Sequence, residues 1–198
     1  MSRWHSWVVA LALALLVLGG CSSAGGQSTR QGSTSRPSGP PCVTPAAPSG
    51  GGPANPTAGE PLPDITLPCF AGGQPVRLAH LGTPTVINLW ASWCAPCRTE
   101  LPQVQRYAER AAGRVQVIGV ITSDPNRGGA QSLIDDLGLR FPMLYDEPAT
   151  LRTQVGVQAI PVTLLVDAHG RVAYRYNARP LDEAALADLV QRYLGVRA

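Results

Sequence analysis

Residues 62–198 predict an α/β fold, a three-layer sandwich in which helices cover both faces of a central mixed sheet. Three observations lead there. Short β-branched runs alternate with stretches of helical spacing, an order that lays strands parallel in one sheet. The central runs, Thr85 to Leu89 and Val115 to Ile121, are nearly continuous in apolar residues, as strands buried on both faces are. Two later runs, Val162 to Val166 and Val172 to Tyr176, flank Asp167-Ala168-His169-Gly170 and read as an antiparallel pair at the sheet's edge.

In chain order, Ile65 to Leu67 and Val76 to Leu78 lie either side of the turn-prone Ala71-Gly72-Gly73 and predict an N-terminal hairpin. The strand from Thr85 leads into Trp90-Ala91-Ser92-Trp93-Cys94, and Pro96 to Ala112 has helical spacing that Pro102 is expected to kink. After the Val115 strand come a Gly-rich loop, a helix from about Ala130 to Leu137, a short strand at Met143 to Tyr145 and a helix from about Ala149 to Val155. A last helix places Leu186, Leu189, Val190, Tyr193 and Leu194 on one face, with Gly195 as its stop.

The first sixty residues have a different character. Arg3 without a nearby acid, twelve apolar residues from Trp7 to Leu18 and then Gly19-Gly20-Cys21 read as a signal peptide over 1–20. The run is well short of the roughly 20 apolar residues that span a bilayer. Leu18-Gly19-Gly20-Cys21 resembles the lipobox of bacterial lipoproteins, which implies lipidation of Cys21 and a membrane-anchored, extracytoplasmic domain. Between Cys21 and Pro61 the composition is Ser, Gly, Pro, Thr and Ala with almost no large apolar side chain, a disordered tether by composition. The net charge of +3 is spread along the chain without a basic stripe, which gives no reason to expect nucleic-acid binding.

Cys94 and Cys97 form a Cys-x-x-Cys at the junction of a buried strand and a helix. The first sulfur then sits where unpaired backbone N–H groups and the helix dipole favour an anion, so Cys94 is expected to be the more exposed and more acidic thiol. Cys97 lies within reach to resolve a mixed disulfide, and the exchange needs neither metal nor organic cofactor. Glu100, three residues after Cys97, shares its helix face. It reads either as the proton partner of Cys97, its pKa raised by desolvation, or as a solvated first-turn acid.

Asn88-Leu89-Trp90-Ala91-Ser92-Trp93-Cys94-Ala95-Pro96-Cys97 resembles the active-site segment of the thioredoxin superfamily, and within it the TlpA/ResA-like branch. Pro102 matches that family's helix-kinking proline, and Gly156-Val157-Gln158-Ala159-Ile160-Pro161-Val162-Thr163 its cis-proline segment. The stretch Asp124 to Phe141 resembles the branch's central βα-type insertion. The resemblance covers about 62–198 and implies a thioredoxin-like fold, a protein-disulfide oxidoreductase activity and a partner-binding face at Trp93, Pro96, Ile160 and a cis Pro161. Asn88 departs from the buried aspartate of cytosolic thioredoxins, which points to Glu100 as the active-site carboxylate. The resemblance also implies reduction of exported protein disulfides, with apocytochrome c a candidate, fed by a membrane thiol carrier of the CcdA/DsbD type. An oxidase that inserts disulfides and a tethered binding module stapled by Cys94 and Cys97 are the alternatives.

Cys42 and Cys69, twenty-seven positions apart, remain once Cys21 is lipidated and are expected to form a structural disulfide. A second redox-active pair or two free thiols are the other readings. Structural zinc wants four Cys or His ligands at close paired spacing, and His80 and His169 lie in unrelated contexts.

Overall fold

The computed structural model describes residues 42–43 and 59–197. The expected signal peptide, the lipidated Cys21 and most of the tether lie outside the described residues. Six strands form one sheet: β1 Glu60–Pro61, β4 Thr85–Trp90, β5 Gln116–Thr122, β6 Met143–Asp146, β7 Val162–Val166 and β8 Arg171–Tyr176. Their order is β1-β8-β7-β4-β5-β6. The pairs β4/β5 and β5/β6 are parallel, while β4/β7, β7/β8 and β8/β1 are antiparallel, so the sheet is mixed as expected.

A separate hairpin pairs β2 Thr66–Leu67 with β3 Val76–Arg77. Leu78, expected in its second strand, instead opens a single 3-10 turn, Leu78–His80. The hairpin's loop side covers the outer edge of β6, where Phe70 N–H donates to Met143 O at 2.9 Å and Tyr145 N–H to Pro68 O at 3.0 Å. The opposite edge receives β1, whose two residues pair with Val172 and Arg171.

Helices α1 Ala95–Arg110, α2 Arg127–Asp136 and α4 Glu183–Leu194 cover one face. Helix α3 Thr150–Gln154 and the hairpin cover the other. All six residues of β4 are buried, Val86 and Trp90 facing the first core and Ile87 and Leu89 the second, the two-residue period of a strand between two layers. Helix α1 continues through Pro102 and buries Cys97, Glu100, Leu101, Val104 and Tyr107. Helix α4 starts on Asp182, whose carboxylate accepts Ala185 N–H at 2.7 Å, and ends at Gly195 with φ +69°, the left-handed stop that glycine favours.

Two expectations are corrected. The Gly-rich stretch after β5 is the first turn of α2, because Asn126 Oδ1 accepts Gly129 N–H at 2.9 Å and starts the helix at Arg127. A side chain at 129 would press on the Asn126 amide and on Ser92 Oγ, so the glycine that argues against a helix is what lets this cap pack. Asp124 to Phe141, expected as a βα-type insertion, contains α2 alone, while the strand expected separately at Met143 to Tyr145 is present as β6.

Candidate active site

Strand β4 ends at Trp90, and a turn closed by Cys94 N–H to Ala91 O at 3.1 Å delivers Cys94 to the N-cap of α1. Cys94 and Cys97 are disulfide-bonded, with their Cα atoms 5.3 Å apart. Cys97 N–H donates to Cys94 Sγ at 3.2 Å, so the sulfur occupies the place of a capping oxygen. Pro96 lies in the first turn, where its missing N–H leaves no helical bond unmade. Cys94 is 4% exposed and Cys97 fully buried, the order of access that attack followed by resolution requires.

The loop before β7 faces this sulfur. The Ile160–Pro161 bond is cis, and the Ile160 carbonyl oxygen lies 3.7 Å from Cys94 Sγ. Ile160 is half-buried, Pro96 exposed and Pro161 buried, so Pro161 shapes the loop from beneath. Trp93 is 59% exposed, and its indole N–H donates to Ser123 O at 3.0 Å. Trp90 is fully buried and belongs to the core.

Glu100 is 2% exposed, which rules out the solvated first-turn reading. Its Oε1 accepts Asn88 Nδ2–H at 2.6 Å and Thr163 Oγ1–H at 3.3 Å, and its Oε2 accepts Leu181 N–H at 2.9 Å. Desolvation by burial raises its pKa above the ordinary carboxylate value, while the hydrogen bonds from Leu181, Asn88 and Thr163 pull it back in part. Asn88 gives its other amide hydrogen to Thr163 Oγ1 at 3.1 Å, and its Oδ1 has no partner among the described residues. Two of Glu100's partners escaped the sequence reading. Thr163 and the Leu181 amide reach it across 63 and 81 positions, and no local signal announces either.

Cys42 and Cys69 form a second disulfide, Cα to Cα 5.7 Å. Val43 beside it is buried in the core under the hairpin, and Cys69 bridges to Leu144 of β6. No group of three or more His, Cys, Asp or Glu among the described residues is arranged to hold a metal ion.

A Cys-x-x-Cys capping a helix, opposed by a cis-proline loop on a three-layer mixed sheet, defines a protein of the thioredoxin superfamily. The chain belongs to the Redoxin family, whose model matches residues 57–190. It is 31% identical over 119 residues to the thiol:disulfide interchange protein DsbE of Pseudomonas fluorescens biotype C, covering 60% of this chain and 65% of that one. To the thiol-disulfide oxidoreductase ResA of Halalkalibacterium halodurans it is 29% identical over 102 residues, covering 50% and 57%. The chain therefore spans less than two thirds of the length of both relatives. The crystal structure of a thiol:disulfide interchange protein DsbE from Chlorobium tepidum superposes with a TM-score of 0.61 at 28% identity, over 70% of this chain and 98% of that one.

Proposed function

We propose that this chain is a membrane-anchored, extracytoplasmic protein-disulfide oxidoreductase that reduces disulfides in exported proteins. One observation carries the reading: Cys94 Sγ caps α1, receives Cys97 N–H, and lies 3.7 Å from the Ile160 carbonyl. The names of the relatives, thiol:disulfide interchange and thiol-disulfide oxidoreductase, support it.

In the reduced enzyme, the Cys94 thiolate attacks one sulfur of a partner's disulfide. That S–S bond breaks, the partner's other sulfur leaves as a thiolate, and Cys94 is held in a mixed disulfide. Glu100 takes the Cys97 proton, and the Cys97 thiolate attacks Cys94 Sγ, releasing the partner's second sulfur. Two electrons have then passed to the partner, and the Cys94–Cys97 disulfide remains. Ile160 offers backbone groups for strand-like pairing with the bound polypeptide, Trp93 and Pro96 form an apolar rim, and Pro161 supports the loop. A membrane thiol carrier of the CcdA/DsbD type returns the two electrons. The Cys-x-x-Cys of an apocytochrome c before haem attachment is a candidate substrate.

The anchor in this reading is lipid on Cys21, and Cys42–Cys69 ties the end of the tether to the hairpin. No described helix is long and apolar enough to cross a membrane. Equilibrating the chain with dithiol redox buffers tests the direction of electron flow. A reductase is expected near thioredoxin's potential of about −270 mV, whereas a value near the roughly −120 mV of the oxidant DsbA would make it an oxidase.

A further inference from the structure

Asp124 is fully buried just after β5, in a segment that the exchange chemistry leaves unused. Its Oδ2 accepts Ser92 N–H at 2.6 Å, and its Oδ1 accepts Asn126 N–H at 3.1 Å. Its backbone carbonyl accepts Tyr145 Oη–H at 2.7 Å, which ties the loop to β6. The preceding residue, Ser123, has φ +52°, a left-handed backbone that side chains other than glycine rarely adopt. Such a conformation persists only where its surroundings hold it. Here Ser123 N–H donates to Asp146 O at 3.2 Å, and Ser123 O accepts the Trp93 indole N–H.

Ser92 and Trp93 are thus both bonded to the adjacent pair Asp124 and Ser123, across about thirty residues of chain. Trp93 is 59% exposed, so core packing cannot set the angle of its ring. A hydrogen bond to a backbone carbonyl that is itself locked can.

We infer that Asp124 is a positioning residue for partner binding: it fixes the turn that carries Trp93, while the strained Ser123 beside it fixes the indole. The inference rests on the proposed role of Trp93 in the partner-binding face. Pre-ordering an aromatic contact spares the complex the loss of rotamer freedom on binding, so the effect belongs in KM more than in kcat.

Insulin reduction by the full chain, with dithiothreitol as electron donor, tests this through KM and kcat. Asp124→Ala is expected to raise KM about tenfold, with a smaller fall in kcat. Asp124→Asn keeps an oxygen acceptor for Ser92 N–H and should bring KM back to within about threefold of the parent. Trp93→Ala should raise KM as Asp124→Ala does, and the double variant should be no worse than either alone, because both remove the same contact. A double variant whose KM rises by the product of the two single effects overturns the inference. So does a parent-like KM for Asp124→Ala when Trp93→Ala has raised it. A parent-like KM for Trp93→Ala overturns the docking role of Trp93 and this inference together. Should Asp124→Ala fail to fold, Trp93→Phe gives the answer at the surface. It lacks only the indole N–H and some ring area, and a KM unchanged from the parent refutes the link to Ser123.

Discussion

Asn88 Nδ2 donates to Glu100 Oε1 at 2.6 Å, joining the middle of the central strand to the second turn of the active-site helix. Where a buried aspartate would add a second negative charge, an amide supplies a donor. The ionised carboxylate is hydrogen-bonded on both oxygens, yet desolvation outweighs those bonds and leaves the pKa above its ordinary value. Glu100 is therefore a carboxyl whose ionisation opposes burial, and two consequences follow for pH.

Glu100→Gln should slow disulfide exchange and flatten its pH dependence. In the proposed mechanism the parent gains rate as rising pH ionises Glu100 and lets it accept the Cys97 proton, and the glutamine has no such step. General acid–base groups contribute about 100-fold or more, so a loss of at least tenfold near neutral pH is expected by stopped-flow. Urea unfolding carries the second readout. The native state holds the Glu100 proton to higher pH than the unfolded chain does, so its stabilising effect is complete below the unfolded pKa and is lost as pH rises through the folded pKa. Parent stability should accordingly fall relative to Glu100→Gln over that window. A constant difference from acid to neutral pH contradicts the buried, proton-retaining carboxyl.

Asn88→Asp replaces the donor with a second carboxyl against Glu100. Two such groups in one buried site cannot both ionise cheaply. A loss of about 2–4 kcal/mol at pH 7 is expected, shrinking as the pH is lowered and a proton is shared between them. Equal losses at pH 7 and pH 5 by denaturant titration would count against it.

The strands and the site were legible in the sequence to different depths. β4, β5 and β7 announced themselves because burial on both faces demands β-branched apolar runs, β8 because a turn, Asp167-Ala168-His169-Gly170, separates it from β7, and Cys94 with Cys97 because strand, cysteine pair and helix are contiguous. β1 left no such trace, since a two-residue strand exists only through its pairing with Val172 and Arg171. The start of α2 was hidden because Gly128 and Gly129 disfavour a helix in isolation, and the Asn126 cap overrides them. Glu100 is marked by the family resemblance and by its spacing from Cys97, but the Thr163 and Leu181 donors depend on β7 and the approach to α4 folding back over α1. Asp124 had only a weak signal, an acid at the end of a buried strand on the side where the active-site loop emerges.

Removing the second disulfide with Cys42→Ser and Cys69→Ser together should lower stability by about 3.5 kcal/mol, the chain-entropy value for a loop of 27 residues. Denaturant unfolding under non-reducing conditions measures it. Exchange activity of the folded variant should persist, and its disappearance would place this pair in the chemistry.

Gly119→Ala should destabilise the domain by about 1–3 kcal/mol. A Cβ there would drive into Met143 Sδ and come within 3.0 Å of Phe141 and of Trp90 Nε1, in the core beneath the redox turn. Met143 can yield, but the two rings are held by their neighbours, so thermal unfolding should show the loss. An unchanged midpoint would mean this core is looser than its packing indicates.

The unequal access of Cys94 and Cys97 suits them to the proposed roles of attacker and resolver. Incubating reduced Cys97→Ala and Cys94→Ala separately with an oxidised polypeptide, then mapping cross-linked peptides by mass spectrometry, separates those roles. A mixed disulfide through Cys94 should accumulate in Cys97→Ala, with little or none in Cys94→Ala. Equal trapping by the two variants, or trapping through Cys97 alone, contradicts Cys94 as the nucleophile.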